Sequence, residues 1–159
     1  MDSVLERLQN DVHDLLRDSN LLAGVEILIY ESSDLGSALR IYAREPLGIC
    51  AVVMPPLPLS FRNGAAHHGI ASVELQIRVV EDIGANRGPR RALETAEIIH
   101  RLLTGMAFGG GNYCQSLLPA SNKPWTISEN FPESTRLEIE LCFWAQLFLK
   151  PAKILWRQQ

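Results

Sequence analysis

Little in this sequence announces chemistry. It holds three cysteines, Cys50, Cys114 and Cys142, an odd number at wide and irregular spacing that fits neither a disulfide framework nor a CxxC metal site. Buried or half-buried free thiols in a reducing compartment are expected, because an unpaired cysteine behaves as a small hydrophobe. No apolar stretch approaches the roughly 20 residues that cross a bilayer. The opening MDSVLERLQNDVHDLL carries acids where a signal peptide needs a basic start and an apolar centre, so a soluble, cytoplasmic protein is expected. A formal net charge of -3 supplies no field for holding DNA, RNA or an anionic membrane. Internal repeats and low-complexity tracts are missing as well.

Catalytic signatures are equally scarce. His67-His68 is the most tempting pair, since imidazoles ligate metals and move protons. Adjacent residues of an extended segment point opposite ways, however, and no HExxH or Cys/His cluster completes a site. His13 and His100 stand singly on helical segments, where solvated or half-buried positions are expected. Gly109-Gly110-Gly111 lacks the Lys-Ser/Thr of a phosphate loop and the GxGxxG spacing, and reads as a flexible connection. Glu74, Glu81, Asp82, Glu138 and Glu140 fall mostly on the wet face of strands, and no serine sits in a GxSxG context. No catalytic residue, cofactor or metal is implied.

What the chain does have is 159 residues, 47% of them hydrophobic, enough for one core and too few for two ordinary domains. Ser3 with Glu6 forms a capping box, and Val4, Leu5, Leu8, Val12, Leu15 and Leu16 recur at helical spacing to about residue 18. Val25 to Glu31 reads as a strand. A short helix follows from Ser33 or Asp34 to about Tyr42, with a strand over Ala38 to Tyr42 left open. Ile49 to Met54 reads as a buried strand stopped by Pro55, Pro56 and Pro58. Residues 55–69 form an exposed arm or long hairpin tip, so that Ile49 to Met54 and Ile70 to Glu81 become antiparallel neighbours. Pro89 opens the main helix, which runs to about Thr104 with Leu93, Ala96, Ile99 and Leu103 as its buried stripe. A short strand at Pro124 to Ser128 and a long one from Arg136 to Lys150 close the chain. The fold class is α+β: a mixed or mainly antiparallel sheet of about four to five strands against a main helix and an N-terminal helix. The whole of 1–159 is one domain with a tail at 151–159.

The last strand carries the strongest clue. Leu137, Ile139, Leu141, Phe143, Ala145, Leu147 and Leu149 share one face, while the other begins Arg136, Glu138, Glu140 and continues Cys142, Trp144, Gln146, Phe148. Large apolar groups on an outer face need cover, either from a helix of the same chain or from another subunit. Ile154 and Trp156 make the tail apolar for a free end. Arg87, Arg90 and Arg91 cluster where a helix begins, a place that favours anions, and so suggest a solvated turn, an acidic partner surface or a nucleic-acid backbone in a channel.

In its order of elements the chain resembles the tail-terminator and minor tail proteins of long-tailed bacteriophages. The likeness rests on the amphipathic N-terminal helix, the strand VEILIYE, a buried strand with a proline- and glycine-containing arm, SVELQIRVVED, the helix RALETAEIIHRLL and two closing strands. It implies a structural virion protein, in the virion or the host cytoplasm, that self-associates as a ring, commonly hexameric, and caps or joins the tail tube. Tail-tube and head-connector proteins would be its partners, and DNA could pass through the lumen. Leu57, Leu59 and Phe61 of the arm would lie on a neighbour, the face of Cys142, Trp144 and Phe148 with Ile154 and Trp156 would close the ring, and the Arg87 to Arg91 turn would face the lumen or a partner. The alternative is a small cytoplasmic enzyme or ligand-binding protein with a pocket near His67, His68 and the Gly109 to Asn112 loop. A bacterial adaptor using the same apolar face is a third reading.

Overall fold

Ser3 starts the first helix as its sequence predicts. Its Oγ accepts the Glu6 N–H at 3.0 Å while the Glu6 carboxylate accepts the Ser3 N–H, closing the capping box of α1 (Val4–Arg17). The computed structural model describes residues 3–30, 48–60, 70–120, 125–129 and 136–148. Leu8, Gln9, Val12 and Leu16 form the buried face of α1. A glutamine amide in a core needs partners. The Gln9 Nε2 donates to the carbonyls of Val53 at 2.9 Å and Tyr30 at 3.2 Å, clipping the helix to the ends of two strands.

Those strands are β1 (Glu26–Ile29) and β2 (Ile49–Val53), which run parallel with Ile27 opposite Ala51. Parallel neighbours require a crossover rather than a hairpin. The short helix expected from Ser33 or Asp34 to about Tyr42 falls between these strands in the chain and lies outside the described residues. β2 then pairs antiparallel with β4 (Ile70–Asp82), Ile49 opposite Glu81, as the sequence predicts.

The sheet is built on one long ladder. β4 and β7 (Arg136–Phe148) are antiparallel over their whole length, from Ile70 opposite Phe148 to Asp82 opposite Arg136. Val73, Leu75, Ile77 and Val79 interlock with Ile139, Leu141, Phe143 and Leu147, all fully buried. Burial of side chains of this size stabilises by roughly 1.5–3 kcal/mol each. The α+β class holds, but among the described residues the sheet contains seven strands rather than four or five. They occupy five lanes in the order β1, β2, β4, β7, β5 (Leu118–Pro119), because two lanes are broken. Pro55 and Pro56 interrupt the lane after Val53, and the chain resumes as β3 (Leu57–Ser60) on the same edge of β4. The start of the expected arm is therefore sheet. On the far edge β5 (Leu118–Pro119) and β6 (Trp125–Glu129) both pair with β7.

The second helix, α2 (Ala92–Leu103), begins later than the sequence predicts, and Pro89 stands ahead of it. Its buried stripe is Ala92, Thr95, Ala96, Ile99 and Leu103, whereas Leu93 is 55% exposed. Starting at Ala92 fixes that phase, since Leu93 lies about 100° around the helix from Ala92. No side chain caps the Arg91 position. Glu81, only 2% exposed, takes that role from the end of β4, accepting the Ala92 N–H at 3.0 Å. Gly48 lets the turn close beneath it: its φ is +67°, and a Cβ there would stand 2.6 Å from the Asn86 nitrogen. Both helices pack on one face of the sheet, α1 against β1 and β2, α2 against β4 and β7.

Candidate interaction surface

The face of the sheet turned away from α1 and α2 carries Glu74, Gln76 and Arg78 of β4 and Cys142, Trp144 and Phe148 of β7. Its register sorts these side chains into zones. At one end Cys50, Val52 and Val80 form a small buried cluster with Leu28, Tyr30 and Met54. Beside it runs a charged band in which Arg78 reaches Glu140 at 3.6 Å and Glu138 at 3.9 Å, with Arg136 at 3.8 Å from Glu138.

At the other end lies an apolar row. Leu57 of β3 is opposite Glu74 of β4, Glu74 is opposite Trp144 of β7, and Trp144 is opposite Leu118 of β5. Directly opposed residues share a face, so four strands contribute one continuous line. Beyond the polar pair of Ser72 and Gln146, the end of the ladder adds Phe148 opposite Ile70. Pro58 pairs with Val73 and Ser60 with Ser72, which leaves Leu59 as an extra residue in a bulge. Leu59, Ser72, Gln115, Leu118, Trp144 and Gln146 line an open depression of about 360 Å³. Leu57, Leu59 and Leu118 are 56%, 44% and 59% exposed.

The fold thus brings together Leu57, Leu59, Trp144 and Phe148, four residues that the sequence marks as interface candidates. Leu118 completes the row and was not marked, since a strand of two residues leaves no periodicity to read. Cys142 belongs to the same face but is buried. Its thiol donates to Glu140 Oε1 at 3.5 Å and is pushed up to about 12, first by burial and then by the Glu140 and Glu74 carboxylates, so it stays a protonated, unreactive group. Phe61, Ile154 and Trp156 lie outside the described residues, as do His67 and His68.

The basic turn is largely occupied with its own fold. The Glu81 carboxylate also accepts from Asn86 Nδ2 at 2.6 Å and from Arg91 Nη1 at 3.3 Å. Asn86 is 1% exposed and donates again to the Arg90 carbonyl at 2.7 Å. Arg90 pairs with Glu94 at 2.6 Å. Arg87 is exposed and donates to the Gly84 carbonyl at 2.8 Å. Buried Glu81 therefore supplies the negative charge that the helix start favours, and the arginines gather around it.

The other described polar groups singled out by the sequence bond within the fold. Gly109–Gly111 forms a short 3-10 turn, and the N–H groups of Gly111 and Asn112 bond back to the carbonyls of Phe108 and Gly109. Gly109 has φ +62°, and a Cβ there would meet the Tyr113 ring at 2.7 Å. Tyr113 donates its phenol to Asp11, under an Arg7 guanidinium 4.1 Å from the ring centre. His13 Nε2 lies 3.1 Å from the Ile27 carbonyl, and His100 rests against Phe143 with ring centres 5.8 Å apart. Among the described residues no group of three His, Cys, Asp or Glu side chains is placed to hold a metal ion. Nor does any described helix have the length and apolarity to cross a membrane.

No family model matches the chain, and no curated protein matches it. A crystal structure from Akkermansia muciniphila is similar to it at a TM-score of 0.36 and 14% identity, covering 93% of this chain and 77% of that one.

Proposed function

We propose that this chain is a structural assembly protein that self-associates through the face of its sheet turned away from α1 and α2, as a ring subunit at the end of a phage or prophage tail tube. One observation carries the self-association: the row Leu57, Glu74, Trp144, Leu118, with Leu59 beside it, leaves large apolar side chains in water. Exposed apolar groups gathered in one line and rimmed by Ser72, Gln115 and Gln146 have the anatomy of an interface, an apolar centre with a polar margin. Covering leucines that are about half exposed gains half of the roughly 1.5–3 kcal/mol that full burial of such a side chain is worth. The assignment to a tail tube, with tail-tube and head-connector proteins as further partners, rests on the order of elements.

Light scattering on purified protein tests the proposal. The wild-type chain is expected to show a multimeric mass that falls on dilution. Leu118→Glu is expected to reduce that mass while leaving the melting temperature within a few degrees, because the side chain is 59% exposed and supports little of the core. A wild-type chain that stays monomeric at every concentration, and also when mixed with tail-tube protein, would refute the assignment.

A further inference from the structure

We propose, resting on the self-association above, that the apolar row of one copy docks on the arginine-bearing end of the next, Glu74 of the row meeting Arg87. The contact joins two different surfaces of the same chain.

Glu74 is the first reason. It stands half-buried in the middle of an apolar row, between Leu57 and Trp144, and no cation pairs with it among the described residues. Any surface that covers the row takes this carboxylate out of water, a cost of several kcal/mol unless a cation reaches it. An apolar partner alone would be rejected. Row against row about a two-fold axis would bring Glu74 near its own copy, two carboxylates in a drying surface, which is unfavourable for the same reason.

The opposite end of the molecule supplies the complement. Leu21, Ile83 and Leu93 are 54%, 51% and 55% exposed there. Ile83 directly follows the last residue of β4, and Leu93 follows Ala92, whose N–H is bound by Glu81. The 3-10 turn holding Leu21 packs against α2, and Gly24 faces the Pro89 ring. These exposed side chains thus share an end with the basic turn. Arg90 and Arg91 are paired with Glu94 and Glu81, and the Asp82 carboxylate accepts from the backbone of Gly84 and Ala85. Arg87 remains exposed, bound through one nitrogen to a carbonyl, with guanidinium donors to spare. A guanidinium on a partly apolar surface is the cation best suited to a drying carboxylate, being weakly hydrated and able to bind it with two parallel bonds.

The two surfaces cannot meet within one copy. Eight residues of β4 separate Glu74 from Asp82, about 26 Å at a strand's rise. Head-to-tail contact of this kind repeats in one direction and either closes as a ring or continues as a filament.

A charge swap tests the pairing. Glu74→Arg and Arg87→Glu are each expected to lose oligomer mass when purified alone, since every contact then sets like charges together. Mixed in equal amounts they are expected to regain the wild-type mass, because alternating copies restore an opposite-charge pair at every contact. Circular dichroism melting checks that both variants fold, and Glu74→Gln, which keeps the shape, is expected to assemble less tightly and with a weaker salt dependence. A mixture that stays dissociated, or Arg87→Glu alone keeping full mass, would overturn the pairing. If Leu118→Glu dissociates the wild-type oligomer while Arg87→Glu does not, self-association stands and this docking falls. A monomeric wild type removes both.

Discussion

At the scale of single residues, Glu81 does the work that the sequence seemed to assign elsewhere. Strand glutamates ordinarily face water, yet Glu81 shares the parity of Val73, Leu75, Ile77 and Val79, so the alternation itself puts it inside. The second half of the signal lay in α2, whose first turn has no capping side chain and needs an acceptor from elsewhere. Glu81 receives three donors: the Ala92 N–H, the Asn86 amide and the Arg91 guanidinium. Glu81→Gln keeps the volume and replaces one acceptor oxygen with a donor, so at least one partner loses its bond and faces another N–H. A loss of about 2 kcal/mol is expected, since an unsatisfied buried donor costs roughly 1–3 kcal/mol. Urea denaturation measures it, and an unchanged midpoint would show that the carboxylate does not seat the helix. The interface residues were less legible: Trp144 and Phe148 showed themselves by falling in a polar register, but Leu118 sits in a strand too short to have one.

Whole elements were legible where their pattern was long. α1 followed from its capping box and helical stripe, β4 from the alternation of Ser72 to Val79, and β7 from the apolar face that runs from Leu137 to Leu147. The failures occurred at proline. Pro55 and Pro56 suggested a loop, but Pro58 and its neighbours form β3 on the edge of β4, where a missing N–H can be tolerated. Pro89 suggested a helix start, but the Asn86 side chain binds the Gly88 N–H and the Arg90 carbonyl, holding that stretch as a turn until Ala92. For α1 the cap itself can be tested. Ser3→Ala removes the acceptor of the Glu6 N–H at an exposed helix end, and should cost about 1 kcal/mol. The cost should appear as faster hydrogen exchange in the first turn and a slightly lower urea midpoint. Because the cap belongs to a helix on the opposite face of the sheet from the row, oligomer mass should not change.

For the molecule as a whole, one sheet joins elements of very different legibility, and its five lanes emerge only when β3 is read as the continuation of β2's lane and β5 and β6 are set along β7. The same sheet buries all three thiols, which gives the fold a common response to alkali. Burial pushes Cys50 and Cys142 up to about 12 and Cys114 to about 11 from an ordinary 9.0, with nearby carboxylates adding to the shift. The Tyr113 phenol moves upward too, by burial and then by its bond to Asp11. A raised value in the folded state means that the fold holds these protons more tightly than the unfolded chain. Below about pH 9 both states keep them and stability is intact. Above it the unfolded chain ionises first, so it binds fewer protons and stability falls until the folded thiols ionise near pH 11–12. Each thiol contributes a slope approaching about 1.4 kcal/mol per pH unit within that window. Urea midpoints recorded from pH 8 to 11 should therefore fall, and fall less steeply in Cys50→Ala, whose thiol is fully buried. A variant that starts lower but keeps the wild-type slope would mean that Cys50 contributes packing alone and that the alkaline loss arises at other groups.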